Sequence, residues 1–201
     1  MAINLQKGQR ISLTKEAPGL TQVMCGLGWD VQQGGGLLGI FQNRPDFDLD
    51  ASVICLAQGD RFVNKQDLVY YANLRHSSGA IIHLGDNLTG EGEGDDEQIL
   101  VNLTKVPDSI VKLVFTVNIY KCRERKQDFG QVKNAFVRLV NSKNQQEVAR
   151  YNLSGSDYQG MTGLILAELE RREKDWGMTA IGKGIEVDGL GELVALYQRS
   201  R

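Results

Sequence analysis

Apolar side chains recur at every second position along most of this chain, in short runs rich in Val and Ile. Residues favouring turns (Gly, Pro, Asn, Asp, Ser) interrupt the runs every 8–15 positions. A period of two places alternate side chains on opposite faces of a strand, whereas a helix needs a period near 3.6. The pattern therefore predicts an all-β chain. The expected strands are Ile3–Leu5, Arg10–Leu13, Thr21–Trp29, Leu49–Ala57, Leu68–Tyr71, Ala80–Leu84, Gln98–Leu103, Ile110–Tyr120, Val132–Val140 and Glu147–Leu153. Leu164–Leu169 and Trp176–Ile181 form a hairpin with a charged tip at Arg171–Lys174. Ile110–Tyr120 is the most apolar run and is expected at the centre of a sheet. One short helix is expected at Glu192–Gln198, with Leu193, Leu196 and Tyr197 on one face. With 201 residues and 41% hydrophobic content the chain can bury a real core, and residues 1–201 are read as one domain.

The least usual stretch lies between two of these strands. Asp86–Glu97 reads Asp-Asn-Leu-Thr-Gly-Glu-Gly-Glu-Gly-Asp-Asp-Glu, with six acids among twelve residues and no Lys or Arg. So many carboxylates repel one another unless the loop is splayed into water or a hard cation neutralises it. Ca²⁺ takes six to eight oxygen ligands from carboxylates and backbone carbonyls, and glycines let carbonyls turn toward a common centre. A solvated acidic hairpin tip is the other reading. A second acidic cluster, Asp46-Phe47-Asp48-Leu49-Asp50, opens the strand beginning at Leu49. Its period of two sets Phe47 and Leu49 toward the core and the three aspartates on the opposite face.

Neither cluster is an EF-hand. The Asp46 series has Ala51 where Gly is required and Ala57 where Glu is required, and the Asp86 series has Leu88 and Gly90 at ligand positions. Gly34, Gly36 and Gly39 match G-x-G-x-x-G without a capped helix after them, and Gln32–Arg44 is read as a loop. Gly177–Gly184 approaches a P-loop but lacks the closing Ser/Thr and is followed by a strand-like Ile185-Glu186-Val187. His76 and His83 have no spaced Cys or His partner, which argues against zinc. No G-x-S-x-G is present, and no catalytic residues are assigned. A metal-dependent hydrolase built on the same carboxylates is a lesser alternative. The net charge of −2 lacks the basic face that nucleic acid requires. Lys121, Arg123, Arg125 and Lys126 form a local basic turn. Cys25, Cys55 and Cys122 have no C-x-x-C spacing and are read as buried thiols in a reducing compartment. The N-x-[ST] matches at Asn87, Asn102 and Asn152 are discounted for a cytosolic chain. No secretory leader or membrane-spanning run is evident.

The chain resembles the TerD family of bacterial tellurium-resistance and stress-response proteins along nearly its whole length. The resemblance is carried by Leu5–Gln9 with Ile11–Leu13, by Leu27-Gly28-Trp29-Asp30, and by Phe47–Ser52. Tyr71–Leu74, His83–Glu97, Phe129–Val140, and Trp176 with Ala180–Gly184 extend it. It implies a β-sandwich of two mostly antiparallel sheets with a few short helices, binding two Ca²⁺ ions in loops at one end, without catalytic activity. The metal-site residues carried over are Asp48, Asp50, Asp86, Asn87, Thr89, Gly90, Glu91, Glu93, Asp95, Asp96 and Glu97, with Asp30 and Asn73 as outlying candidates. The resemblance also implies a cytoplasmic stress-resistance module. Its partners would be other proteins of the tellurite-resistance system, membrane-associated ones included, at the inner face of the membrane. A Ca²⁺-dependent membrane-surface or small-ligand-binding domain is the alternative. Two departures from the family are the long, glycine-rich Asp30–Asp48 connection, with its apolar Leu37–Phe41, and Ala72 where the family often has a second Asn.

Overall fold

The computed structural model describes residues 2–31, 47–85, 95–153, 155–173 and 175–198. Twelve strands form two six-stranded sheets. The strands are β1 (Ile3–Asn4), β2 (Arg10–Ser12), β3 (Gln22–Val31), β4 (Leu49–Leu56), β5 (Leu68–Val69), β6 (Ile81–His83), β7 (Glu97–Asn102), β8 (Lys112–Ile119), β9 (Val132–Asn141), β10 (Gln146–Asn152), β11 (Gly163–Arg172) and β12 (Asp175–Ile185). Sheet A runs β1-β10-β9-β3-β7-β6, and sheet B runs β2-β12-β11-β8-β4-β5. All pairings are antiparallel except β1 with β10. β8 lies inside sheet B between β4 and β11, as its apolar run predicts. Residues 86–94 and the Gln32–Arg44 loop, with Asp46, fall outside the described residues.

Alternation builds the core. Along β4, Leu49, Ala51, Val53 and Cys55 join the cluster between the sheets, with Val23, Cys25 and Leu27 of β3 and Leu113, Phe115 and Val117 of β8. Ile54 and Leu56 emerge on the outer face of sheet B, where they meet Val114, Ile165 and Val194. Val194 belongs to the helix Leu190–Ala195, here α3. Every residue of β4 is therefore buried. Its polar members, Asp50 and Ser52, share that outer face with Thr116 and Asn118 of β8.

The structure revises three local expectations. The strand predicted to reach Leu13 stops at Ser12, which caps a four-residue helix, α1 (Leu13–Glu16), by accepting from Lys15 N–H. The basic turn contains a helix of the same length, α2 (Cys122–Arg125), flanked by Lys121 and Lys126 in left-handed conformation. The C-terminal helix starts two residues earlier than predicted and ends at Ala195, leaving Leu196 48% exposed while Leu193 and Val194 are buried. A single turn of helix is too short for a 3.6-residue period to register in sequence.

Candidate metal centre at one end of the sandwich

β6 ends at His83 and β7 begins at Glu97, so the acidic stretch connects two paired neighbours of sheet A. Both side chains are buried, at 2% exposure each. Gly85 N–H donates to His83 Nδ1 at 3.2 Å. The neutral ring then carries its proton on Nε2 and donates it to Glu97 Oε2, at 3.1 Å. The same Glu97 oxygen accepts Ala51 N–H from β4 at 3.0 Å. One hydrogen-bonded series thus links both stems of the acidic stretch to the opposite sheet, at the residue next to Asp50.

Asp48 and Asp50 converge on the outer side of this end. Asp50 is 6% exposed, and its Oδ2 lies 3.4 Å from Asn118 Nδ2 on the neighbouring strand. Asp48 Oδ2 lies 3.8 Å from Arg125 Nη1, and the Asp48 carbonyl accepts Tyr120 N–H at 2.8 Å. The Tyr71 hydroxyl feels both carboxylates. Its burial, then the charge of Asp50 and more weakly that of Asp48, raises its pKa above the ordinary tyrosine value. Lys121 and Arg125 lie over the Tyr120 ring. Arg123 pairs with Asp188, and Lys121 also approaches Glu124 at 3.7 Å.

The three described acids of the stretch are each engaged by protein donors. Asp95 lies flat over Gly26, where a Cβ would occupy its carboxylate, and takes both Nε and Nη2 of Arg138, at 2.7 and 3.0 Å. Asp96 Oδ2 accepts Trp29 N–H at 2.7 Å, and its own N–H donates to Leu27 C=O at 2.8 Å. It thereby continues the β3–β7 ladder one step past Leu27↔Glu97. Of the outlying candidates, Asn73 Nδ2 donates to Leu68 C=O at 2.6 Å, closing the turn that follows β5. Asp30 is placed in β3 opposite Lys133. Asp86, Asn87, Thr89, Gly90, Glu91 and Glu93 lie outside the described residues. Among the described residues no three or more His, Cys, Asp or Glu side chains are grouped so as to hold a metal ion.

The donor chemistry nevertheless fits a hard cation. Asp48 and Asp50 supply carboxylate oxygens, and Asn118 Oδ1 is a buried carbonyl oxygen with no hydrogen-bond partner. Neither Asn118 nor the partners of the two histidines stand out in the sequence. His76 is 3% exposed and lies 3.2 Å from Asp67, with Ser78 on its other ring nitrogen. Both histidines find their acid or hydroxyl partners within fifteen residues. An inward-facing histidine at a strand end is the signal that could have revealed His83.

No helix among the described residues is long and apolar enough to cross a membrane. Residues 1–197 match the TerD domain family. The chain is 50% identical to the stress response protein SCP2 of Bacillus subtilis, over 98% of its length and all of that protein's. It is 42% identical to the tellurium resistance protein TerD of Serratia marcescens, covering 98% of this chain and 97% of that one. The fold matches the crystal structure of a TerD homologue from Streptomyces coelicolor A3(2), with a TM-score of 0.64 at 23% identity, over 85% of this chain and 93% of that one. Matched across essentially its whole length, the chain belongs to the TerD family of tellurium-resistance and stress-response proteins.

Proposed function

We propose that this chain is a calcium-binding module of a stress-resistance system, in which the cation fixes one end of the sandwich as a docking face for partner proteins. One observation carries the reading. The Gly85–His83–Glu97–Ala51 series ties both stems of the acidic stretch to the strand that bears buried Asp50. Carboxylates gathered this way repel, and a divalent cation relieves the repulsion. Asp48 and Asp50, with the acids of residues 86–93, would hold the ion. Asp95 is assigned to anchoring, because both its oxygens face a guanidinium. The bound ion supplies charge neutralisation, and no catalytic step is assigned to this end.

The docking reading is supported by exposed apolar surface beside the acids. Six large hydrophobic side chains are exposed among the described residues, and four of them (Tyr71, Leu74, Leu84 and Tyr120) lie around this end. Leu74 C=O accepts His83 N–H, and Leu84 follows directly in chain, so these two flank the buried pair.

Titration calorimetry of EGTA-treated protein with CaCl₂ tests the metal claim. At a hundredfold excess over Kd, binding should stabilise the fold by about 2.7 kcal/mol. For a chain of this size that raises Tm by roughly 5–11 °C. Asp50→Asn should weaken binding. No heat and an unchanged Tm in millimolar Ca²⁺ would sink the claim. In cells dependent on this chain for tellurite survival, a Tyr71→Ser/Leu84→Ser variant should bind Ca²⁺ normally yet fail to protect. Full protection would remove the docking face.

A further inference from the structure

Two cross-strand pairs stand side by side on the outer face of β4 and β8: Ser52 with Thr116, and Asp50 with Asn118. The first pair is complete in itself, since the two hydroxyls bond each other at 2.7 Å. The second is not. Asn118 is 3% exposed, so bulk solvent does not reach it. Its Nδ2 stands 3.4 Å from Asp50 Oδ2, longer than the roughly 2.7–2.9 Å of a good charge-assisted hydrogen bond. Its Oδ1 is buried and has no hydrogen-bond partner. On the other flank Asn118 faces Gly163 of β11, and the space above that glycine is filled by methyl groups of Val187 and Leu193.

Buried amides that waste their oxygen are uncommon, because the loss of hydration is uncompensated. Turning the amide by half a rotation exchanges its oxygen and nitrogen without moving any other atom. Oδ1 then stands beside the Asp50 carboxylate. Two oxygens in that relation repel, unless a cation lies between them. A carboxylate and a neutral amide carbonyl on adjacent strands are an oxygen pair of the kind Ca²⁺ accepts.

We infer that Asn118 is a calcium ligand of this chain, its Oδ1 entering the shell that Asp50 also enters. The inference rests on the calcium reading above and adds a ligand from a strand in the middle of sheet B. The metal would then bridge β4 and β8. The competing role for Asn118 is purely structural, as a donor to Asp50.

Two variants separate these roles: Asn118→Leu, nearly isosteric and without the oxygen, and Asn118→Asp, which keeps an oxygen and adds charge. Each is compared with wild type by calorimetry with CaCl₂ and by melting in EGTA and in Ca²⁺. Asn118→Leu is expected to melt in EGTA no lower than wild type and to bind Ca²⁺ roughly ten- to hundredfold more weakly. Asn118→Asp is expected to melt lower in EGTA, where two carboxylates face each other, and to show a larger Ca²⁺-induced rise than wild type. Unchanged Ca²⁺ affinity in Asn118→Leu, with Tm lowered equally in EGTA and in Ca²⁺, would overturn the inference and leave the calcium reading standing. Should Asn118→Leu not fold, a Ca²⁺-induced rise in Asn118→Asp no larger than in wild type overturns it. Wild-type protein indifferent to Ca²⁺ would overturn both readings together.

Discussion

Glu147 shows how single residues here are governed by competing effects. It lies on the outer face of sheet A, 22% exposed, between two guanidinium groups. Arg150 reaches it through Nε and Nη2, both at 3.0 Å, and Arg138 through Nη1 at 3.2 Å. Burial is the largest single influence and would raise its pKa. The hydrogen bonds and charges of Arg150 and Arg138 together outweigh it, so Glu147 titrates below the ordinary glutamate range. A depressed folded-state pKa contributes stability above the unfolded value of about 4.3, and that stability is lost as pH falls through the folded value. Glu147→Gln should therefore cost about 1 kcal/mol at pH 6 and progressively less toward pH 3, read as a narrowing gap in Tm between wild type and variant. A gap independent of pH would show that the ion pairs do not act through this charge. Asp95 belongs to the same group through Arg138, and none of it was visible in sequence. Residue 95 sits in an acidic stretch that reads as one unit, and its partner is 43 residues away. The sequence reports the charge of a side chain but not which of several faces it will meet.

Elements were more legible than residues, for a physical reason. Runs of apolar and β-branched residues bounded by turn residues mark strands, so β3, β4, β7, β8, β9 and β10 were all readable to within about two residues at each end. The hairpin β11–β12 was also readable, although both strands run further than expected. α3 was foreseen in kind but not in orientation. Its six residues are too few to hold a helix in water, so packing must supply the stability. Leu193 is fully buried and Val194 covers Ile54, Leu56, Val114 and Ile165. The sequence reading put Leu196 on the same face, but the helix ends one residue before it. Leu193→Ala should cost about 2–4 kcal/mol in urea denaturation, and Leu196→Ala no more than about 0.5 kcal/mol. Equal effects would mean that α3 does not dock through the face assigned to it.

At the scale of the whole molecule, what holds the sandwich together is pairing between distant parts of the chain. β1 lies beside β10 and β2 beside β12, with Ser12 opposite Gly177. β3 is flanked by β7 and β9. Each sheet draws strands from both halves of the sequence, so neither half can bury its apolar faces alone. The candidate metal end obeys the same logic. Asp50 stands in sheet B with Asn118 of the later strand β8 beside it, while Glu97, paired with His83 in sheet A, accepts the N–H of the neighbouring Ala51. Both pairs take their places only once the two sheets have formed. A fragment of residues 1–153 makes the point testable. It retains every strand of sheet A and every acid assigned to the cation. It lacks β11 and β12, and with them Leu164, Leu166, Leu169, Trp176, Met178 and Ala180 of the core. β2 is then left with no partner, and β8 becomes an apolar edge. The expected outcome is a collapsed chain with no cooperative melt and no tight Ca²⁺ binding, read by near-ultraviolet circular dichroism and calorimetry. A cooperative transition in the fragment would show that sheet A and the acidic stretch form a unit of their own. The cation site would then precede the sandwich and not depend on it.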